Sequence, residues 1–314
     1  MKVRLLVYMF LALWILTGCS ENLEKATAQT FSAGLLVTES GLGDNAYSDS
    51  AFQGLEQARD ELGITFDYRE PFDRDYEAKA EEMIEQGHDV IIGLGYNSQP
   101  AIEALADKYP EQKFVLIDAV SEKENVRSIL FKDEEGSRLI GMIAGSKTKS
   151  DVVGFIGGEE MPVIQNFEKG FREGVAAVNP DAKVLTGYTG SFDDDEEGAR
   201  LAADMADKNA DFLFPAAGFA GIGVLKEAQN QGIYAFGVDT DQFFVAEDAV
   251  VSSMLKNVNV ALYRVMKELQ ETGEITTGPE TLGIKENGIG LAPVRIIEWT
   301  EADEQMIDEA DGKE

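Results

Sequence analysis

The chain has 314 residues, enough for about two domains of ordinary size, and its 44% hydrophobic and 27% charged residues exclude wholesale disorder. Its 27 Lys+Arg against 58 Asp+Glu leave a net charge of −31, which argues against a nucleic-acid partner and against adsorption to an anionic membrane through a basic patch. One Cys and one His exclude an intrachain disulfide, a cysteine-based zinc or iron–sulfur site and histidine-cluster metal chemistry.

The amino end reads as an export signal. Lys2 and Arg4 precede an apolar run from Leu5 to Leu16, too short for a comfortable membrane span but suited to a secretory signal. The run ends in Leu16-Thr17-Gly18-Cys19: an aliphatic residue, two small residues and the only cysteine. That order resembles the bacterial lipoprotein box. It implies a signal peptide over 1–18, lipidation (palmitate) of Cys19 and anchoring on the extracytoplasmic face of the cell membrane. The competing reading is an uncleaved anchor helix with an incidental Cys. Residues 19–30 are polar and unpatterned, and read as a flexible tether.

From Phe31 onward, strand-like and helical patterns alternate. Apolar runs at 33–37, 64–68, 90–94, 114–117, 128–131, 152–156, 184–186, 212–214 and 234–238 predict strands. Between them, spacings of three and four predict helices, as at Ala51, Leu55, Ala58 and Leu62, and at Phe167, Phe171, Val175 and Val178. Such alternation means βαβ units and parallel sheets with right-handed crossovers. About five units precede Phe131 and four follow it, so the reading is an α/β chain with two doubly wound sheets. The acidic tail over 301–314 is expected to fray.

Ligands of open parallel sheets sit beyond the carboxyl ends of strands. The segments there are GLGDNAYSDSA (41–51), GLGYNSQPA (93–101), IDAV (117–120), GGEEMP (157–162), PAAGFAGIG (215–223) and GVDTDQ (237–242). Most join glycine to Asp, Asn, Ser or an aromatic ring. In any one loop the glycine could serve turn geometry alone; six strand ends of one character point to a site. Asp193 to Gly198 mimics part of a calcium loop, but Arg200 stands where an aliphatic residue belongs, so an N-cap with an acidic first turn is the better reading. There is no G-x-S-x-G, H-E-x-x-H or Walker A motif.

The stretch GLGDNAYSDSAFQGL (41–55) resembles the D-K-S-F-N-x-x-A-x-x-G signature of the basic-membrane-protein family, the PnrA-like substrate-binding lipoproteins of ABC transporters. Asp44, Ala51 and Gly54 match, Tyr47 replaces the Phe, and Asn45, Ala46 and Ser48 depart from Lys, Ser and Asn. The segment 153–175 resembles the family's G-G-x-x-x-P-x-I-x-x-F-x-x-G-F/Y-x-x-G. GVDTDQ (237–242), SSMLKNV (252–258) and KENGIGLAP (285–293) resemble further family segments, so the likeness runs from about Phe31 to Pro293.

The resemblance implies a type I periplasmic-binding-protein fold, two doubly wound lobes joined by three crossovers. The N-terminal lobe would take 31–131 plus 243–275, and the C-terminal lobe 132–242 plus 276–300. It also implies a purine nucleoside ligand (guanosine, inosine or adenosine) held in the cleft of a monomer, with no cofactor, no metal and no catalysis, delivered to a permease pair and an ATPase. Carried over by position, Tyr47 gives one stacking ring and Phe219 the opposing one. Asp44, Ser48 and Asp118 give polar contacts, and Asp239 with Lys256 hold the ribose hydroxyls. From the residues alone, Asp44 could be a helix N-cap, Asp239 a turn former and Lys256 a surface lysine. Two other functions remain open at this level: a regulatory lipoprotein of the same fold, and a nucleoside hydrolase.

Overall fold

Two six-stranded sheets carry the fold. The computed structural model describes residues 30–312; the expected signal, Cys19 and the tether before Thr30 lie outside the described residues. The first sheet begins with β1 (Ser32–Leu36), β2 (Thr65–Arg69), β3 (Val90–Leu94), β4 (Lys113–Ile117) and β5 (Val126–Phe131), alternating with α1 (Tyr47–Leu62), α2 (Tyr76–Glu85) and α3 (Gln99–Lys108). The chain then builds a second lobe from α4 (Asp133–Lys147), β6 (Val152–Gly157), α5 (Pro162–Val178), β7 (Lys183–Tyr188), α6 (Asp195–Ala206), β8 (Phe212–Ala216), α7 (Phe219–Gln231), β9 (Tyr234–Asp239) and β10 (Val250–Lys256). It returns to the first lobe for α8 (Val258–Thr272) and β11 (Gly278–Leu282), and ends in the second with β12 (Ile289–Leu291).

The sheet orders are β2-β1-β3-β4-β5-β11 and β7-β6-β8-β9-β10-β12, so β6 to β10 repeat the arrangement of β1 to β5. Every pairing is parallel except that of β12 with β10. Central strands of parallel sheets are covered on both faces, which is why β3 reads as the unbroken apolar run VIIGL and is buried throughout. The aromatic core of the second lobe has the same origin: Phe155, Phe171 and Phe214 lie within 5.5–6.4 Å of one another, centroid to centroid.

All nine expected strands occur. The lobe boundaries need correction. The expected return to the first lobe at 243 comes later, because Val250–Lys256 pairs with β9 and stays in the second sheet. The returning piece is α8 plus β11, and β11 pairs with β5 although it was expected in the C-terminal lobe. Three crossovers thus join the lobes, at Lys132, at Asn257 and between β11 and β12. They are tied together: Lys132 N–H donates to the Leu282 carbonyl at 2.9 Å, and Asn257 N–H to that of Gly288 at 2.8 Å.

The tail does not fray as expected. It forms α9 (Glu301–Asp311), opened by a capping box in which Thr300 and Asp303 satisfy each other's backbone N–H groups. Lys147 fixes it by an ion pair to Asp303 at 2.7 Å, while Ile307 docks its apolar side in the core. No helix among the described residues is long and apolar enough to cross a membrane.

Candidate ligand-binding cleft

Between the lobes, at the carboxyl ends of the strands of both sheets, lies a cavity of about 780 Å³ including its open mouth. Each of the six strand-end segments singled out in the sequence supplies lining: Asp44 and Tyr47; Gly95 to Asn97; Asp118; Met161; Ala216 to Gly218; Val238 and Asp239. This is where doubly wound sheets bind ligands, and here two of them face one cavity.

Its floor is ionic. Lys256, the last residue of β10, is 2% exposed and sets its ammonium 2.6 Å from Asp118 Oδ2 and 3.0 Å from Asp133 Oδ1. The rings of Phe131, Phe167 and Tyr47 surround it at 5.1, 5.3 and 5.6 Å from centroid to Nζ, within cation–π range. Burial alone would push this lysine's pKa down, but Asp118, Asp133 and Asp239 outweigh it and hold the pKa above the ordinary value. In the acids burial wins instead. Burial pushes Asp239 up to about 7 against the pull of Lys256, with Asp44, Asp118 and Asp133 adding to the rise. Asp133 is likewise pushed up to about 7 by burial, opposed by Lys256 and reinforced by Asp118. Burial also raises Asp44 and Tyr47, the latter further because Asp118 lies beside its hydroxyl.

Asp118 and Asp239 occupy matched positions, one just past β4 and the other ending β9, its counterpart in the second lobe. Both have left-handed backbone, φ +62° and +66°, a conformation in which Asp and Asn are several-fold enriched over other non-glycine residues. The Asp239 carboxylate takes part in no hydrogen bond or ion pair among the described residues, so its oxygens face the cavity unclaimed.

Asp44 does two things at once. Its carboxylate accepts backbone N–H groups of Ala46 and Ser48 at 2.9 Å and of Asp49 at 3.2 Å, satisfying orphan donors at the start of α1, and it lines the cavity. Tyr47, the first residue of α1, lines it too. Ser48 does not: it is wholly buried, with its hydroxyl 3.0 Å from that of Thr38.

Phe219 also falls outside the lining. The turn before α7 brings the Gly218 backbone to the cavity instead, with φ +56°. The ring found there is Phe192, in the loop before α6. A Cβ at Gly158 would sit 2.4 Å from that ring, so this glycine makes room for Phe192, whereas one at Gly218 would meet Phe192 Cβ at an ordinary 3.4 Å. Asp194, two residues on, caps α6 by accepting the Glu197 N–H at 2.9 Å, in keeping with the N-cap read from this loop's sequence.

The sequence reading also missed Glu39, Tyr96, Asn97 and Phe167. Glu39, 8% exposed, accepts from Asn97 Nδ2 at 2.9 Å and from the Tyr76 hydroxyl, and forms an ion pair with Arg74 at 3.3 Å. Tyr96 and Asn97 stood in a loop already singled out, whereas Phe167 fitted the periodic stripe of α5 and read as core. Among the described residues no three His, Cys, Asp or Glu side chains are grouped to hold a metal ion.

Contacts at the rim join the lobes. Arg74 reaches both Glu39 and, at 3.6 Å, Glu159 of the second lobe. The Asn45 carbonyl accepts from Thr240 Oγ1 and from Gln242 Nε2 at 3.3 Å. Ser40 donates to Asp193.

Comparison with known proteins agrees with this geometry. A family model described as "ABC transporter substrate-binding protein PnrA-like" matches residues 31–313. A "CD4+ T-cell-stimulating antigen" of Listeria innocua is 33% identical over 260 residues, covering 78% of this chain and 72% of its own. An "ABC transporter nucleoside-binding protein BmpA" of Lactococcus lactis is 31% identical over 291 residues, covering 86% and 82%. A solved ABC transporter solute-binding protein of Aeropyrum pernix superposes with a TM-score of 0.80 at 26% identity, covering 90% of each chain. The fold is that of type I periplasmic binding proteins.

Proposed function

This chain belongs to the PnrA-like family of ABC transporter substrate-binding proteins, and from that premise we propose that it is the extracytoplasmic receptor of an importer for purine nucleosides. The observation that carries the reading is the composition of the cleft: one buried ammonium among four carboxylates, flanked by aromatic rings. A nucleoside is neutral, has two π faces and carries a diol. The base lies between Tyr47 and the rings opposite, Phe192 and Phe167, where each aromatic pairing adds about 0.5–1.5 kcal/mol beyond burial. Asp239 accepts from the ribose hydroxyls in charge-assisted bonds, stronger than neutral ones. A free proton of Lys256 meets a hydroxyl oxygen of the same sugar. Asn97 and Asp118 face the polar edges of the base.

An anionic nucleotide meets an excess of buried acids with one lysine to offset them, and is rejected. A relative at 31% identity bears the name of a nucleoside-binding protein, which supports the ligand class. Binding closes the lobes about the three crossovers, so the ligand acts by shifting an open–closed equilibrium. The chain carries no reaction of its own; permease and ATPase subunits provide transport and energy. Cys19 bears the lipid that keeps the receptor at the membrane surface. Calorimetry with guanosine, inosine, adenosine and GMP tests the reading: a nucleoside is expected to bind tightest, and tighter binding of GMP refutes it.

A further inference from the structure

Of the three acids that act on Lys256, Asp118, Asp133 and Asp239, Asp133 alone does not line the cavity. It is the first residue of α4, directly after the first crossover, and is 3% exposed. It does not cap that helix: the N-cap is Lys132, with no side-chain cap bond. Nor is it needed to place negative charge near the helix N-terminus, since Glu134 and Glu135 already do so in the first turn. A carboxylate buried there without a partner would be strongly destabilising. Its ion-pair partner is Lys256, 3.0 Å away, the residue just before the second crossover.

An ammonium has three protons and no acceptor. Asp118, on the cavity lining, pairs with it at 2.6 Å and Asp133, outside the lining, at 3.0 Å, while three rings close the flanks. The donor capacity that these pairs leave over is open to whatever enters the cavity. We infer that Asp133 is a positioning residue: it holds the Lys256 ammonium so that its free proton meets the ribose hydroxyls, and so sets the preference for a ribonucleoside over its dideoxy analogue. The same ion pair links the first crossover to the second, so the aim of Lys256 is fixed where the lobes hinge.

The inference rests on the nucleoside reading, and its test separates the two. Wild type, Asp133→Asn, Lys256→Met and the double variant are titrated calorimetrically with inosine and with 2′,3′-dideoxyinosine. Asp133→Asn is expected to weaken inosine about 10–100-fold, the range for losing a hydrogen bond to a charged group, and dideoxyinosine by less than about threefold. Retained dideoxyinosine binding also certifies that the variant is folded. In the Lys256→Met background, Asp133→Asn is expected to cost inosine nothing more, because both substitutions remove one interaction. Equal loss of both ligands, as a merely structural acid would give, overturns the inference, as does no loss or full additivity. A wild type that binds neither ligand sinks the nucleoside reading and this inference with it; an Asp133→Asn protein indistinguishable from a binding wild type sinks the inference alone.

Discussion

The two walls of the cleft come from lobes of the same topology, yet they are made of different chemistry. The first lobe contributes Thr38, Glu39, Ser40, Asp44, Asn97 and Asp118, a wall of hydrogen-bonding groups with Tyr47 set into it. The second contributes Met161, Val163, Ile164, Phe167, Phe192 and Val238, an apolar wall whose only charges, Asp239 and Lys256, stand at its base. The helix starts show the divergence in miniature. In α1 a buried Asp44 accepts three backbone N–H groups, whereas its counterpart α5 opens with Met161 and Pro162 and has no side-chain cap. One fold repeated twice has become a polar jaw that reads and an apolar jaw that excludes water.

The contrast is sharpest at the charge the two walls share. Lys256 stands on the second lobe and pairs with Asp118 of the first. Lys256→Met leaves buried carboxylates uncompensated and is expected to lower inosine affinity at least about a hundredfold, read by calorimetry; a smaller loss would mean the walls act independently. Asp239→Asn comes next, at about 10–100-fold, with the loss confined to ligands that keep the ribose diol.

Acidification acts on the same group. Asp239 sits near 7 because burial disfavours its charge, so lowering the pH from about 8 to 6 protonates it and is expected to weaken inosine binding about tenfold. Asp239→Asn should make that profile shallower, leaving the part due to Asp133, which is also pushed up to about 7. The ligand-free protein moves the other way: a carboxylate with raised pKa binds more protons folded than unfolded between about 4 and 7, so its contribution to stability falls as pH rises through that window. Melting curves of wild type and Asp239→Asn across pH 4–8 check the sign.

On the apolar wall, Phe192→Ala is expected to cost about tenfold, with equal losses for ribose and dideoxyribose ligands. The rim closes the series. Arg74→Ala removes the bridge from Glu39 to Glu159, but this arginine is 60% exposed, and exposed pairs contribute little. Less than about a fivefold change in inosine affinity is expected.

How much of this was legible in the sequence follows the same division. Buried parallel strands are written as apolar runs, so nine could be read directly. β11 (GPETL) alternates between exposed and half-buried positions before its last residue, and β12 has three residues, so neither carries a run to read. Asp118 was legible because a structural residue ending a buried strand would ordinarily be apolar; Asp239 could equally have been a turn former, and the family segment GVDTDQ singled it out. The apolar wall was not. Phe167 satisfies a helical stripe whether or not one side of it meets a cavity. Phe192 lies beside a run of acids that draws attention to itself, and Phe219, carried over by position, stands beside a glycine that does reach the cleft but does not reach it itself.

The left-handed backbone at Asp118 and Asp239 restricts what evolution can write at these two positions. Glycine, asparagine and aspartate tolerate it most readily, so the accessible spellings are an acid, its amide, or nothing. A descendant can therefore exchange acceptor for donor, or erase the contact altogether, by single codon changes that leave the chain trace untouched. Diversification of cargo in such receptors needs no remodelling of the scaffold; two letters, one per half, are enough to start it.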